Sequence, residues 1–599
     1  MGCTAQTGVE YAIADPGCRH QAAPVLNALS ICLAGADPAG LTRAARSLER
    51  QGFERAAQIE WDGGGVVTWA HPGQRQTEDC IVQTPLGTAC CVGPLWFRGH
   101  FGRHALAALL EVVHATGRLE ESALRGNFAL FLDTGDHTWL LNDALGFVHV
   151  YGSDDGCFIS TSWLATCAYL KHVELDAASV TEYVLVGAAH SCQSVARGVS
   201  LLPLGQVRDL RRRRAWQRFP DGFGSNAPVF GSPEEAVEAV TDHLRKVSAE
   251  VASAFPARVN TALSGGFDSR LIVAGLLAAG LQPRLFVYGD DGSIDVTIAR
   301  SVANAIDLAL NAIDKSELNR DLPMPDLESL EQSALFFDGL PNDGIDDRGA
   351  DRRTRLQQTA DGSIALNGGG GEIFRNYFHL PDRAFTARDI VRAFYRGFSR
   401  GVFRDRDSLA NYEARLAASI RNIVGMSEAG KERLTRAQVE LLYPLFRCHY
   451  WMGVNNSVSV RHGYYATPLA DRESVRLAQR LPLRWKNAGA FQSRLVVALH
   501  PGIAAQPSAY GFRFDEGPDW KARLAEWATC ARPVRLRPLI NATHRRLGNV
   551  RVAPELLQRY RELLPGEWQM DPLLDLAQLT DGGALGRALA IEVVSRRIF

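Results

Sequence analysis

The stretch NTALSGGFDSRLIVAGLL, residues 260–277, decides how this chain is read. A short apolar run ends at Leu263, and Ser264, Gly265 and Gly266 follow. Asp268 and Ser269 then open an apolar, helix-like segment. In parallel α/β sheets, ligands bind where strand ends meet helix N-termini. Glycines there let backbone amides approach an anion, and the helix dipole favours negative charge. Ser264 and Ser269 add hydroxyl donors. Asp268 cannot bind phosphate directly, but it can hold a Mg²⁺ that bridges phosphate oxygens. The turn therefore reads as a cradle for Mg-pyrophosphate. It lacks the lysine of a Walker A loop and the glycine spacing of a dinucleotide fingerprint. A flexible Gly-rich turn with a capping serine is the bland alternative, and the flanking strand and helix weigh against it.

With 599 residues the chain is too long for one ordinary core, so two or more domains are expected. Hydrophobic residues make up 46% and charged residues 22%, the balance of a globular protein. The formal net charge of -1 gives no reason to expect a nucleic-acid or membrane partner. The basic run RDLRRRRAWQRF from Arg208 reads as a solvated hairpin tip. No basic-then-apolar leader and no apolar run of spanning length is evident, so a cytoplasmic protein is expected. The 11 cysteines include no C-x-x-C pair and read as reduced, mostly buried thiols. His100 and His104 stand four apart, but with no third ligand nearby a structural role is expected.

Residues 1–215 read as strand-rich with helical interruptions such as HALAALLEVVHATG, an α+β or layered β pattern. A polar linker, 216–235, ends in a helix start, with Ser232 as N-cap, Pro233 at the first helical position and Glu235 completing a capping box. From 236 to 599 strands alternate with helices, as in RVNTAL, PRLFVYG and DVTIARSVANAIDL, the pattern of a parallel sheet. Beyond about 430 the chain reads as mostly helical.

A second Gly-rich segment, ALNGGGGEIFRNYF, spans 365–378, and a further segment of note, TPLADRESVRLAQRLP, spans 467–482. SGGFDS resembles the pyrophosphate-binding loop of the ATP-pyrophosphatases, and the wider pattern resembles the synthetase domain of the asparagine synthetase family. On that resemblance Gly368, Gly370 and Glu372 match the family's second phosphate motif, and Asp471 has a structural role. Residues 124–152, with VTEYVLVG and LLPLGQ further on, resemble the second half of the family's glutaminase domain. The resemblance implies a degenerate glutaminase-like β-sandwich with helices, then a parallel α/β domain of the adenine nucleotide α-hydrolase type, then a helical C-terminal part.

The breaks in the pattern matter as much. A working glutaminase of this family exposes an N-terminal cysteine, whereas this chain begins Met1-Gly2-Cys3. The family's glutamine pocket is unrecognisable in CVGPLWFRGHFGRH, so the amine is expected from elsewhere than glutamine. Gly369 stands where relatives carry Tyr or Glu, which predicts an open, side-chain-poor site. Ala509 and Tyr510 stand near the position of the family's synthetase lysine.

The whole layout is similar to lasso peptide cyclases. That likeness implies ATP with its adenine near Val287 and Tyr288. The phosphates would lie against Leu263, Ser264, Gly265, Gly266, Ser269, Gly368, Gly369 and Gly370, and Asp268 and Glu372 would hold Mg²⁺. It also implies a precursor peptide as substrate and a leader-recognising protease as partner. Small-molecule synthetases, of the β-lactam synthetase or ammonia-using asparagine synthetase kind, and a silent scaffold are the competing readings. Arg270 and Arg375, beside the two motifs, are candidates for phosphate or carboxylate contacts.

Overall fold

The computed structural model describes residues 26–599 apart from 73–79, 220–222, 224–226, 321–322, 347, 427–432, 539 and 541–553; the expectation attached to Cys3 lies outside them. The amino-terminal half builds two six-stranded antiparallel sheets stacked face to face. Ala28–Leu33 and Gly64–Ala70 lie inside the first sheet, and Ala129–Asp133 and Thr138–Asn142 inside the second. Successive strand residues point to opposite faces. Ile31, Val66, Cys90, Phe131 and Leu140 meet between the sheets. Their alternates, Cys91, Leu130, Leu132 and Trp139, face outward under the helix Gly102–Thr116. On the other side Ala28, Trp69 and Phe158 are covered by the helix Pro38–Arg50. The result is a four-layer helix–sheet–sheet–helix sandwich. The basic run forms a hairpin between Gln206–Asp209 and Arg214–Gln217, with Arg213 left-handed at its tip.

Helix α1 (Pro233–Ala254) starts where its sequence says it should, with the Ser232 side chain accepting the Glu235 N–H at 3.1 Å. The Glu235 carboxylate reaches back to the Gly231 N–H at 2.9 Å, not to that of Ser232, so the expected capping box is only half formed.

Five parallel strands follow: β1 (Val259–Ala262), β2 (Arg284–Tyr288), β3 (Leu310–Ile313), β4 (Ile364–Leu366) and β5 (Tyr464–Ala466). Their order across the sheet is β3-β2-β1-β4-β5, every pair parallel. Strand order therefore reverses at β1 and β4, and the crevice beyond their carboxyl ends is where such sheets bind ligands. Helix α2 (Phe267–Ala278) leaves β1 there, and helix α3 (Ile294–Ala305) packs against β2 and β3. The rest is mainly helical. One long helix runs from Arg436 to Val460 with a wide, π-type section over Tyr443–Met452. Pro444, lacking an N–H, sits at the start of that section. Among the described residues no helix is long and apolar enough to cross a membrane.

The two halves share a polar joint. Asp338 accepts hydrogen bonds from Ser162 Oγ at 2.6 Å and the Trp163 N–H at 2.6 Å, across the start of the helix Trp163–Tyr169. Arg461, 1% exposed, lies 3.6 Å from the same carboxylate and also bonds Gln51. Removing one partner of a buried ion pair costs about 3–5 kcal/mol because the other charge is stranded. Asp338→Ala should therefore lower the thermal midpoint measurably by calorimetry, and a midpoint equal to wild type would show that the joint contributes nothing.

Candidate functional site

The turn after β1 folds on itself. The Ser264 N–H donates to Ser269 Oγ at 3.0 Å, the Gly266 N–H to Ser264 Oγ at 3.2 Å, and the Gly265 N–H to Asp295 Oδ1 at 3.1 Å. Gly266 precedes the first turn of α2, and no side chain caps that helix. Leu263 is buried and its N–H bonds the Phe286 carbonyl at 2.8 Å, so it serves the sheet with its side chain and the turn only with its backbone. Tyr288, at the end of β2, is 38% exposed, takes a hydrogen bond from Gln358 at 2.7 Å and lies under the Lys315 ammonium.

The second glycine segment follows β4, the neighbour of β1, so both motifs open on one crevice. Three of its four glycines have a separate reason, and Gly368 does not. A Cβ on Gly368 would make ordinary contact with Ser269 at 3.9 Å. Gly370 has φ +98°, a left-handed backbone that disfavours side chains. A Cβ on Gly371 would lie 2.2 Å from Asp268 Oδ1, so this glycine is what lets the two motifs close together. Gly369 corrects the sequence reading. The open space expected there is filled by Met452 from the wide helix, whose methyl would be 2.6 Å from a Cβ at 369.

Asp268 and Glu372 do come together, with Arg375 between them. Arg375 Nη2 lies 3.0 Å from Asp268 Oδ2 and 3.1 Å from Glu372 Oε1. Gln492 Nε2 donates to Asp268 Oδ1 at 2.6 Å. Glu372 Oε2 accepts from the Gly370 N–H at 3.0 Å and from the Tyr443 hydroxyl. Burial, and then the Glu372 charge, push the Asp268 carboxyl up to about 7, against the pull of Arg375 and Gln492. Burial opposes the Arg375 charge, but Asp268 and Glu372 outweigh it and raise its pKa. Burial thus outweighs the attraction of Arg375 at Asp268. The paired carboxylates, an all-oxygen donor set, fit a hard divalent cation.

Arg375 also reaches the loop of Ala509 and Tyr510. Its Nη1 donates to Tyr510 Oη at 3.1 Å, and the Tyr510 ring stacks on Phe267 at 4.4 Å. The Ala509 N–H bonds the Gly265 carbonyl at 3.1 Å, which seats this loop against the phosphate turn. Arg270 has a different task. It is fully buried, donates to the carbonyls of Gln506 and Pro507, and lies over Phe514. Asp471 caps the helix Arg472–Gln479 and pairs with His243 at 3.0 Å, a structural role as expected.

Beside Arg375 opens a cavity of about 540 Å³ lined by Phe267, Tyr377, Phe394, Lys486 and Tyr510. Lys486 is turned away into a 2.5 Å pair with Glu440. A second cavity, about 520 Å³, shares Asn376, Ala488 and Glu526 with the first, so the two adjoin. Asp295, Tyr443, Met452 and Gln492 are the site residues that sequence reasoning missed. Only Tyr443 had a local mark, the adjoining Pro444 inside a helical run.

No family model and no curated protein matches the chain. Among solved structures it is similar to an NMN synthetase from Francisella tularensis, at 18% identity over 25% of this chain and 59% of that one, with a TM-score of 0.16. It is also similar to glutamine PRPP amidotransferase from B. subtilis complexed with ADP and GMP, at 10% identity over 48% and 81%, with a TM-score of 0.21. A third, an allosteric regulatory enzyme of purine biosynthesis, gives 11% identity over 48% and 80%, with a TM-score of 0.22. The chain spans less than two thirds of the first of these. Scores this low carry no functional inference.

A carboxyl raised from 3.8 to about 7 binds a proton in the folded but not the unfolded chain between those values, so the site lowers stability as pH rises through that window. A cation bound there must displace the proton. Mn²⁺ affinity, followed by electron paramagnetic resonance, should rise up to about tenfold per pH unit below 7 and level off above it. Gly371→Ala should abolish the binding. Affinity independent of pH, or unchanged in Gly371→Ala, would remove Asp268 from the metal site.

Proposed function

We propose that this chain is an ATP-dependent, AMP- and pyrophosphate-forming ligase that adenylates an Asp or Glu side chain of a peptide and closes a macrolactam with the peptide's N-terminal amine, as a lasso peptide cyclase does. One observation carries the reading: a buried carboxylate pair at the mouth of a Gly-rich strand–turn–helix is bridged by Arg375, which also lines a cavity walled in part by Phe267, Tyr377, Phe394, Tyr510 and Phe512. Pockets of about 300–1,000 Å³ suit small organic ligands, and two adjoining cavities of about 540 and 520 Å³ offer room for a peptide segment.

In this reading the adenine lies at Val287 and Tyr288. The phosphates take the N–H groups at the start of α2 and the hydroxyls of Ser264 and Ser269, displacing the turn's own hydrogen bonds. Asp268 and Glu372 hold Mg²⁺, which when bound supplies charge to neutralise departing pyrophosphate. Arg375, released from the carboxylates but still in reach of Tyr510, is placed to orient the substrate carboxylate toward the α-phosphorus. Phe267, Tyr377 and Phe394 exclude water that would hydrolyse an acyl-adenylate. The cleft walls hold the peptide while the ring closes, an orientational task. A separate protease supplies the free amine by removing a leader, and the dependence on ATP places the reaction in the cytoplasm.

Two other readings have support. A small-molecule synthetase would need only the first cavity. A silent scaffold is favoured by Arg375, which already occupies the place between the carboxylates. Pyrophosphate release from Mg-ATP separates the three, measured with aspartate plus ammonia, with a carboxyethyl-amino acid, and with a leaderless peptide carrying an internal Asp or Glu. The expected result is release with the peptide alone and a product lighter by one water. Asp268→Ala and Glu372→Ala should each lower that rate by about 10²–10³-fold. Release with a small acceptor moves the assignment to a small-molecule synthetase. ATP binding without release in all three supports the scaffold.

A further inference from the structure

The cleft contains a second pair of titratable side chains that nucleotide binding does not use. His379 Nδ1 lies 2.8 Å from Glu526 Oε2. Both residues line the cavity that Arg375 and Tyr510 border, and Glu526 stands where it joins the second cavity. The Glu526 side chain is 13% exposed and that of His379 51%, so the carboxylate sits behind and the imidazole in front.

The backbone places the ring deliberately. His379 has φ +47°, a left-handed conformation uncommon outside glycine. Its N–H donates to the Asn376 carbonyl at 3.0 Å, and its carbonyl accepts from Arg537 Nη2 at 2.6 Å. With Nδ1–H directed at Glu526, Nε2 carries the free lone pair. Among the described residues no protein group bonds that nitrogen. A carboxylate that fixes the tautomer and orientation of an imidazole is the arrangement of a general base.

We propose that His379 is the general base for the attacking amine, with Glu526 as its positioning residue. This rests on the amide-forming reading above. As the amine nitrogen bonds the acyl carbon of the adenylate, one N–H proton passes to His379 Nε2. The C–O bond to AMP breaks, and AMP leaves with that electron pair as its phosphate. Glu526 stabilises the imidazolium until the proton reaches solvent. Adenylation needs no such base, because a carboxylate is already ionised.

The two half-reactions therefore test it on the full chain. Exchange of labelled pyrophosphate into ATP, driven by the N-acetylated peptide, reports adenylation alone, and amide product from the free peptide reports both steps. Glycine tolerates the backbone at 379 and leaves a hole for added imidazole. His379→Gly should keep exchange within about twofold, lower amide formation by about 10²–10⁴-fold, and recover amide formation with added imidazole. Hydroxylamine, largely neutral near pH 7, should trap the acyl group at the wild-type rate. Glu526→Gln should show the same split, less deeply. Amide formation at the wild-type rate in His379→Gly would overturn the proposal, as would loss of exchange together with amide formation. Absence of exchange by the wild-type chain would overturn the amide-forming reading itself, and the assignment of His379 with it.

Discussion

Two carboxylates taken out of water and set beside each other cannot both stay ionised without a cation between them. The mouth of the parallel sheet is arranged around that constraint. Asp268 stands in the first turn of α2, and Glu372 in the short turn after β4. Because β1 and β4 are hydrogen-bonded neighbours, with Thr261 opposite Leu366, the sheet itself sets how far apart the two acids can be. Gly371 removes the last obstacle by leaving room for the Asp268 carboxylate. Tyr443, Gln492 and the Gly370 N–H hold the outer oxygens, so the inner ones face a common point. Arg375 occupies that point, and the Asp268 carboxyl is still raised. Burial, more than the facing charge, keeps it so.

The strand–turn–helix at 260–277 was legible because its determinants are local: an apolar run, two glycines, and hydroxyl and acid at a helix start. The parallel sheet was legible as a class from the alternation of strands and helices. Its extent was harder to read, since β4 and β5 are only three residues each and take their identity from their neighbours. In the amino-terminal sandwich, strands such as Ala129–Asp133 are covered on both faces, which hides the period-two alternation that marks a half-buried strand.

Within the site, the residues that carry charge were visible and those that shape it were not. Asp268, Glu372 and Arg375 lie in the two motifs. Gln492, Tyr443 and Met452 arrive from distant helices, and only Pro444 beside Tyr443 marks any of them in the sequence. Gly369 shows how this misleads. A missing side chain implies free volume only if no other group fills it, and here the wide helix delivers a flexible thioether to that place. Open volume lies instead past Arg375, in a cavity whose walls come from Tyr377, Phe394 and the helix Trp520–Ala531.

Arg375 joins these two regions through different nitrogens. Nη2 serves the carboxylates, while Nη1 holds Tyr510, whose ring lies on Phe267 at the start of α2. A divalent ion held by Asp268 and Glu372 would compete with the first contact and not with the second, so the guanidinium would stay tethered at the cavity wall. On the ligase reading proposed above, the same charge would then serve first the carboxylate pair and afterwards a substrate carboxylate. A lysine would bring one ammonium in place of two nitrogens held in a fixed planar fork.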